Sequence, residues 1–339
     1  MTVGATLVAS LLAVLERPAT WPLALLGFLV RGGFLVVLVP ITVLPTAIGV
    51  ANIVAPVLTS ALLSGLTATV LLLILGVGGA GMAWLLGGGL LAAAAEAEGV
   101  RRLADDETVA LAGPPPERSG GLAWRILAAR MLAYLPLLLA LAWGATRVVA
   151  ATYREFTVPV DTLTPLVLRV VRAVPDAIAL IVITWLIGEV LGGLAARRVV
   201  MAQASVPRAI GWALRHVVRR PIQTVVLLAM PLVALMAVLV PSAAAASAAW
   251  TAIRVTLADG LPLVLTLVAV LLLVVVWAGQ LVLIGLVAAW RGSAWTVEVA
   301  GTFGGVTHRR EGDWSTVAAS GSLGDPSGAG SRSGSEDYP

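Results

Sequence analysis

WLIGEVLGGLAARR, residues 185–198, sets one carboxylate, Glu189, into an apolar run that two arginines close. Whether that run meets water or lipid decides the fold, and the composition of the chain answers the question. Of 339 residues, 59% are hydrophobic and only 12% are charged, whereas an ordinary soluble domain carries roughly 25% charged residues. The mean hydropathy is +1.00. These values predict an all-α polytopic membrane bundle, because a helix satisfies all its backbone hydrogen bonds within one segment.

The remaining composition removes whole classes of chemistry. All 22 basic residues are arginine, which excludes a Schiff-base lysine and a phosphate-loop lysine. Cysteine is absent, so disulfides, thiolate nucleophiles and thiolate metal sites are excluded too. The net charge of +4 does not point to nucleic acid. Arginines that flank apolar spans face anionic lipid headgroups.

A spanning helix needs about 20 apolar residues. Six segments qualify, at 22–44, 66–95, 131–150, 177–196, 222–243 and 261–290. Pro40, Pro136 and Pro231 inside them predict kinks, and the second and sixth are long enough to tilt or to project. If the even-numbered loops and both termini are cytoplasmic, fifteen arginines fall on that side and five on the other. The bias predicts a multi-pass protein of the cell (plasma) membrane with both ends inside.

The opening stretch also recurs. WLLGGGLLAAAAEAEGVRR (84–102) and WAGQLVLIGLVAAWR (277–291) each give a tryptophan, a small-residue patch and a basic end. Three tandem hairpins are expected, at 22–102, 124–200 and 207–291, with Trp84, Trp185 and Trp277 in the even-numbered spans. Gly88 and Ala92, Gly192 and Ala196, and Gly285 and Ala289 follow these tryptophans at helical spacing. Small residues let helix backbones approach closely in lipid, so the even-numbered spans are expected to pack through these faces.

Shorter segments frame the bundle. Residues 1–21 read as an N-terminal interfacial helix; a cleaved signal is the weaker alternative, since no basic region precedes the apolar run. TPLVLRVVRAV (164–174) suits an interfacial helix on the far leaflet. TAIGVANIVAPVLTSALLSG (46–65) has no charge and is either interfacial or re-entrant. PRAIGWALRHVVRR (207–220) puts Arg208, Arg215 and Arg219 on one helical face, and with Arg220 these form a basic membrane-surface group. Residues 96–124 read as a polar linker. From 292 to 339 a cytoplasmic tail is expected, with a strand pattern in WTVEVAGTF and disorder after it.

No catalytic set is evident. His216 and His308 have no nearby cluster of carboxylates at ligand spacing, so no metal and no cofactor are expected. HExxH and GxSxG are absent, and no stretch outside the spans reaches the size of a soluble catalytic domain. What remains is the intramembrane charge. Glu189 lies eight residues before Arg197, about 12 Å at the helical rise. Arg31 lies at a matching depth in the first span, and Gln280 falls in a similar layer. A charge at such depth pairs inside the bundle, so an Arg31–Glu189 pair is expected, with Gln280 as a third partner. Such a pair either fixes helix register or forms a site that binds a proton or a cation.

Six apolar spans, an Arg-Pro before odd-numbered helices as in RRPIQTVVLL (219–228), and the amphipathic basic segment resemble a loosely defined group of bacterial and archaeal membrane proteins. The group includes the membrane domain found with some glycerophosphodiester phosphodiesterases. The resemblance implies the six-span fold and carries over no catalytic residue. The expected function is therefore a non-enzymatic membrane protein acting through lipid or protein partners. The alternative is a transporter for a small solute, ion or proton, built on the layer around Glu189.

Overall fold

The computed structural model describes residues 2–41, 67–104, 121–157, 166–260 and 262–303. The described residues are 93% helical with no strand, and six helices are long and apolar enough to cross a membrane. The protein is an all-α polytopic membrane bundle. Segment 46–65, residues 105–120 of the expected linker and the tail from 304 lie outside the described residues.

The chain opens with α1 (Val3–Leu15), whose N-terminus is capped by Thr2 Oγ1 accepting from the Ala5 amide at 3.4 Å. Thr6, Ser10 and Val14 form its buried stripe, one turn apart. The two hydroxyls bond back to the carbonyls of Thr2 and Leu7, so the polar stripe is satisfied locally. The indole N–H of Trp290 donates to Leu7 O and to Ser10 Oγ, both at 3.1 Å, and ties α1 to the last helix.

The first span is not one regular helix. It runs from α2 (Thr20–Phe28) through a π-helical turn (Leu29–Gly33) into α3 (Phe34–Leu38) and a 3₁₀ turn (Val39–Ile41). Gly32 takes φ +102°, a region open to glycine and strained for other residues. The second span repeats the device, with α4 (Ala68–Ala83), a π turn (Trp84–Gly88) and α5 (Gly89–Ala104). The Phe34 and Trp84 rings meet with centroids 5.3 Å apart, so the two widened turns lie side by side.

The second hairpin consists of α6 (Gly121–Ala133), α7 (Leu135–Thr157), the short α8 (Leu166–Ala173) and α9 (Pro175–Ala202). Arg147 pairs with Asp176 at 3.1 Å and Arg169 with Glu155 at 3.3 Å, which fixes α8 and the start of α9 against α7. After α9 comes α10 (Val206–Arg219). Arg125 clamps the connection by donating to the carbonyls of Gln203 at 2.8 Å and Ala204 at 2.7 Å. The last hairpin is α11 (Pro221–Ala258) and α12 (Leu263–Gly301). Their 38 and 39 residues reach about 57 Å at the helical rise, well beyond a hydrocarbon core of about 30 Å.

Burial is concentrated at the arginine-rich ends of the helices. Ile126, Leu194, Val199, Ala294 and Val299 are among the residues sealed in that core. The opposite halves are open: every residue from 71 to 87 is exposed, and Leu72, Leu139 and Leu271 present 70%, 73% and 63% of their surface. Contiguous apolar surface of this extent matches lipid as the solvent.

Two expectations are corrected here. Residues 292–301 continue α12 as helix, with Ala294, Trp295 and Val299 in the core, whereas a strand in a tail was expected. The β-branched TVEV run is overridden because the last turns of α12 are buried on every side, from Ser293 to Ala300 without a break, with Trp295 packed on Gly193 of α9. The small-residue patches also pack mainly outside the even-numbered set. A Cβ on Gly88 would lie 2.9 Å from Val30, one on Gly285 3.1 Å from the Trp21 carbonyl, and one on Gly192 3.6 Å from Ala133. Gly193, packed on Trp295, supplies a direct meeting of even-numbered spans.

Candidate functional site: a charged cleft at the helix ends

Trp84, Gly88, Ala92 and Glu96 follow one another at four-residue steps, so the face carrying the tryptophan and its small residues ends on a carboxylate. The π turn at Trp84–Gly88 lies at the head of that face. The side chain of Glu96 is 6% exposed and is the hub of the site. Arg130 donates to it through Nε at 2.9 Å and Nη2 at 2.7 Å, a two-pronged pair. Arg31 donates through Nη2 and Arg197 through Nη1. Arg197 further donates to the carbonyls of Gly193 at 3.1 Å and Gly292 at 3.4 Å, which binds α9 to α12.

Glu189 stands beside this group with different partners. The Tyr134 hydroxyl donates to Oε1, and Arg291 Nη2 lies 3.3 Å from Oε2. The expected direct pair of Arg31 with Glu189 is not formed: Arg31 bonds Glu96, although both residues line the same cleft. Arg31 stands immediately before Gly32, whose φ of +102° breaks the regular helix, so a depth counted along an unbroken helix does not give the direction of its side chain.

The cleft is open to the exterior along part of its length. Thr20, Ala24, Gly27 and Arg31 line it from the first span, Ala92 and Glu96 from α5, and Ala289, Gly292 and Thr296 from α12. Small residues alternate in its walls with larger ones such as Phe28, Leu103 and Trp295. Four guanidinium groups (Arg31, Arg130, Arg197, Arg291) face two carboxylates (Glu96, Glu189), a surplus of two positive charges. Three lining residues keep donors without an acceptor among the described residues, namely Arg130 Nη1, Arg197 Nε and Ser293 Oγ. An unmatched buried cation is costly, so the arrangement is suited to holding an anion.

Gln280 lies outside the cleft. It is 2% exposed, with both amide atoms unpartnered among the described residues, and is near Ile284 on the second apolar core. Trp277 is half-buried against that core, Trp185 is half-buried on α9, and Trp84 is exposed apart from Phe34. Arg208, Arg215 and Arg219 are exposed on α10, while Ala209, Ala213 and His216 form its buried side. Arg220 is directed to a separate buried carboxylate, Glu298, at 3.6 Å; His216 approaches it at 3.1 Å and Gln223 donates to it. No group of three or more possible metal-ligating side chains occurs among the described residues.

Glu96, Arg130, Tyr134, Arg197, Arg291 and Glu298 were not singled out from the sequence. Glu96 had a usable signal, since one more four-residue step beyond Gly88 and Ala92 reaches it, as one step beyond Gly193 reaches Arg197. The convergence of three chain segments on Glu96 had none. Comparison with family models, curated proteins and solved structures finds no match for this chain.

Proposed function

We propose that the protein is a non-enzymatic integral membrane protein of the plasma membrane, with both termini cytoplasmic, that works by binding the anionic headgroup of a lipid in the arginine cleft. The observation that carries the reading is the surplus of two positive charges among the side chains that line the cleft. The exposed Arg208, Arg215 and Arg219 of α10, set beside exposed Leu214 and Val218, suit a helix lying on a headgroup layer at the same end. The full chain in nanodiscs of phosphatidylcholine alone, and of phosphatidylcholine with about one third phosphatidic acid, tests it. A ligand that binds only the folded state raises the melting temperature. The anionic discs raise it by several degrees in the wild type and not in Arg31→Gln/Arg197→Gln; equal melting in both discs refutes the reading.

A second reading, transport of a small solute, is favoured by two observations. The cleft reaches Glu189, and the unpartnered amide of Gln280 lies eleven residues before Arg291 on α12, about 16 Å further along the helix. Liposomes with a trapped pH-sensitive dye separate the two. Flux in the wild type that Glu189→Gln abolishes establishes transport; identical dye traces for both rule it out.

A further inference from the structure

We propose that the ligand of the cleft is a phosphate group that carries close to two negative charges, either a free phosphate or a terminal phosphate on a lipid. The inference rests on the reading of the cleft as an anion site and narrows its chemistry. A carboxylate or a chloride ion would cancel one of the two surplus charges and leave the other unmatched. A terminal phosphate carries about −1.5 to −2 at pH 7 and offers three acceptor oxygens. The cleft matches the charge, with its surplus of two guanidinium groups, of which Arg31 and Arg291 are the accessible ones at 28% and 22% exposure. The side chains of Arg130 and Arg197 are 9% and 7% exposed, so they act in a medium with little water to screen them. Arginine also has the donor geometry that suits phosphate, a planar fork that grips two oxygens at once.

Glu96 has a defined part in this arrangement. It is the internal anion around which Arg31, Arg130 and Arg197 are already gathered. A phosphate in the cleft shares those arginines with it and is repelled by its charge. Neutralising Glu96 therefore strengthens phosphate binding, whereas a residue that merely built the pocket would weaken it when changed. Arg31 is the most exposed of the three, at 28%, and is the one that an incoming anion can draw away from Glu96 at least cost.

The test is equilibrium binding of radiolabelled inorganic phosphate to the full chain in an uncharged maltoside detergent. One saturable site per chain is expected, weakened about tenfold by Arg31→Gln and tightened severalfold by Glu96→Gln, with acetate and chloride unable to compete at equal concentration. If Glu96→Gln does not fold, Arg31→Gln decides, and unchanged affinity in that variant overturns the proposal. Binding of acetate in place of phosphate overturns the phosphate assignment and leaves the anion site standing. Absence of any anion binding, together with equal melting in neutral and anionic discs, overturns both. Repeating the measurement in nanodiscs assigns the source: exclusion of the label by phosphatidic acid identifies a lipid headgroup, and retention of the label identifies free phosphate.

Discussion

At the scale of single residues, the value of an ion pair depends on what is left behind when one member is removed. Glu96 pairs with three arginines at 6% exposure, while Glu98, two residues on, pairs with Arg101 and Arg102 at 32% exposure. Removing one member of a buried pair costs about 3–5 kcal/mol, because the other charge stays buried. An exposed pair of the same kind contributes about 0–1 kcal/mol. Glu96→Ala is therefore expected to lower thermal stability of the full chain by several times as much as Glu98→Ala. Equal losses would mean that water reaches Glu96 freely.

The elements are shaped by local departures from regular helix. At Gly32, φ +102° excludes most side chains, and Gly32→Ala is expected to destabilise by about 1–2 kcal/mol. Gly33→Ala adds a steric cost, since its Cβ would lie 2.6 Å from the Phe28 carbonyl oxygen. Both changes should also weaken anion binding, because Arg31 belongs to the same turn; a loss of stability with binding intact would show that the turn does not aim Arg31. Helix α1 tests a different kind of attachment. Trp290 bonds it through one indole N–H shared by Leu7 and Ser10. In Trp290→Phe, hydrogen exchange should quicken over Val3–Leu15 and stay unchanged in α9, as measured by mass spectrometry of the full chain.

On the scale of the whole molecule, the packing is uneven, with a sealed core at the arginine-rich ends and loosely covered apolar helices beyond it. The two halves meet different solvents. The chain has no cysteine, so single cysteines can be placed for spin labels without removing native ones. Labels at Leu72 and Leu139, 70% and 73% exposed, should be relaxed strongly by lipid-soluble oxygen and weakly by a water-soluble nickel reagent. Labels at exposed Arg215 and Arg219 of α10 should show the reverse. Strong nickel relaxation at Leu72 would place that helix in water and remove the membrane frame.

Sequence alone determined the class of solvent, the number of spans and the helical character of each, because these depend on composition and on length against bilayer thickness, quantities summed over many residues. It also singled out Arg31 and Glu189, since a charge inside an apolar run is visible without coordinates. What only the tertiary structure decided was who meets whom. Arg31, beside the break at Gly32, pairs with Glu96, and Glu96, which read as part of a linker, ends a helical face that three other segments cover. The end of α12 is core because neighbouring helices bury it, against its strand-like pattern. A pairing is set by the relative rotation of two helices, and a single break in a helix alters that rotation while leaving hydropathy untouched.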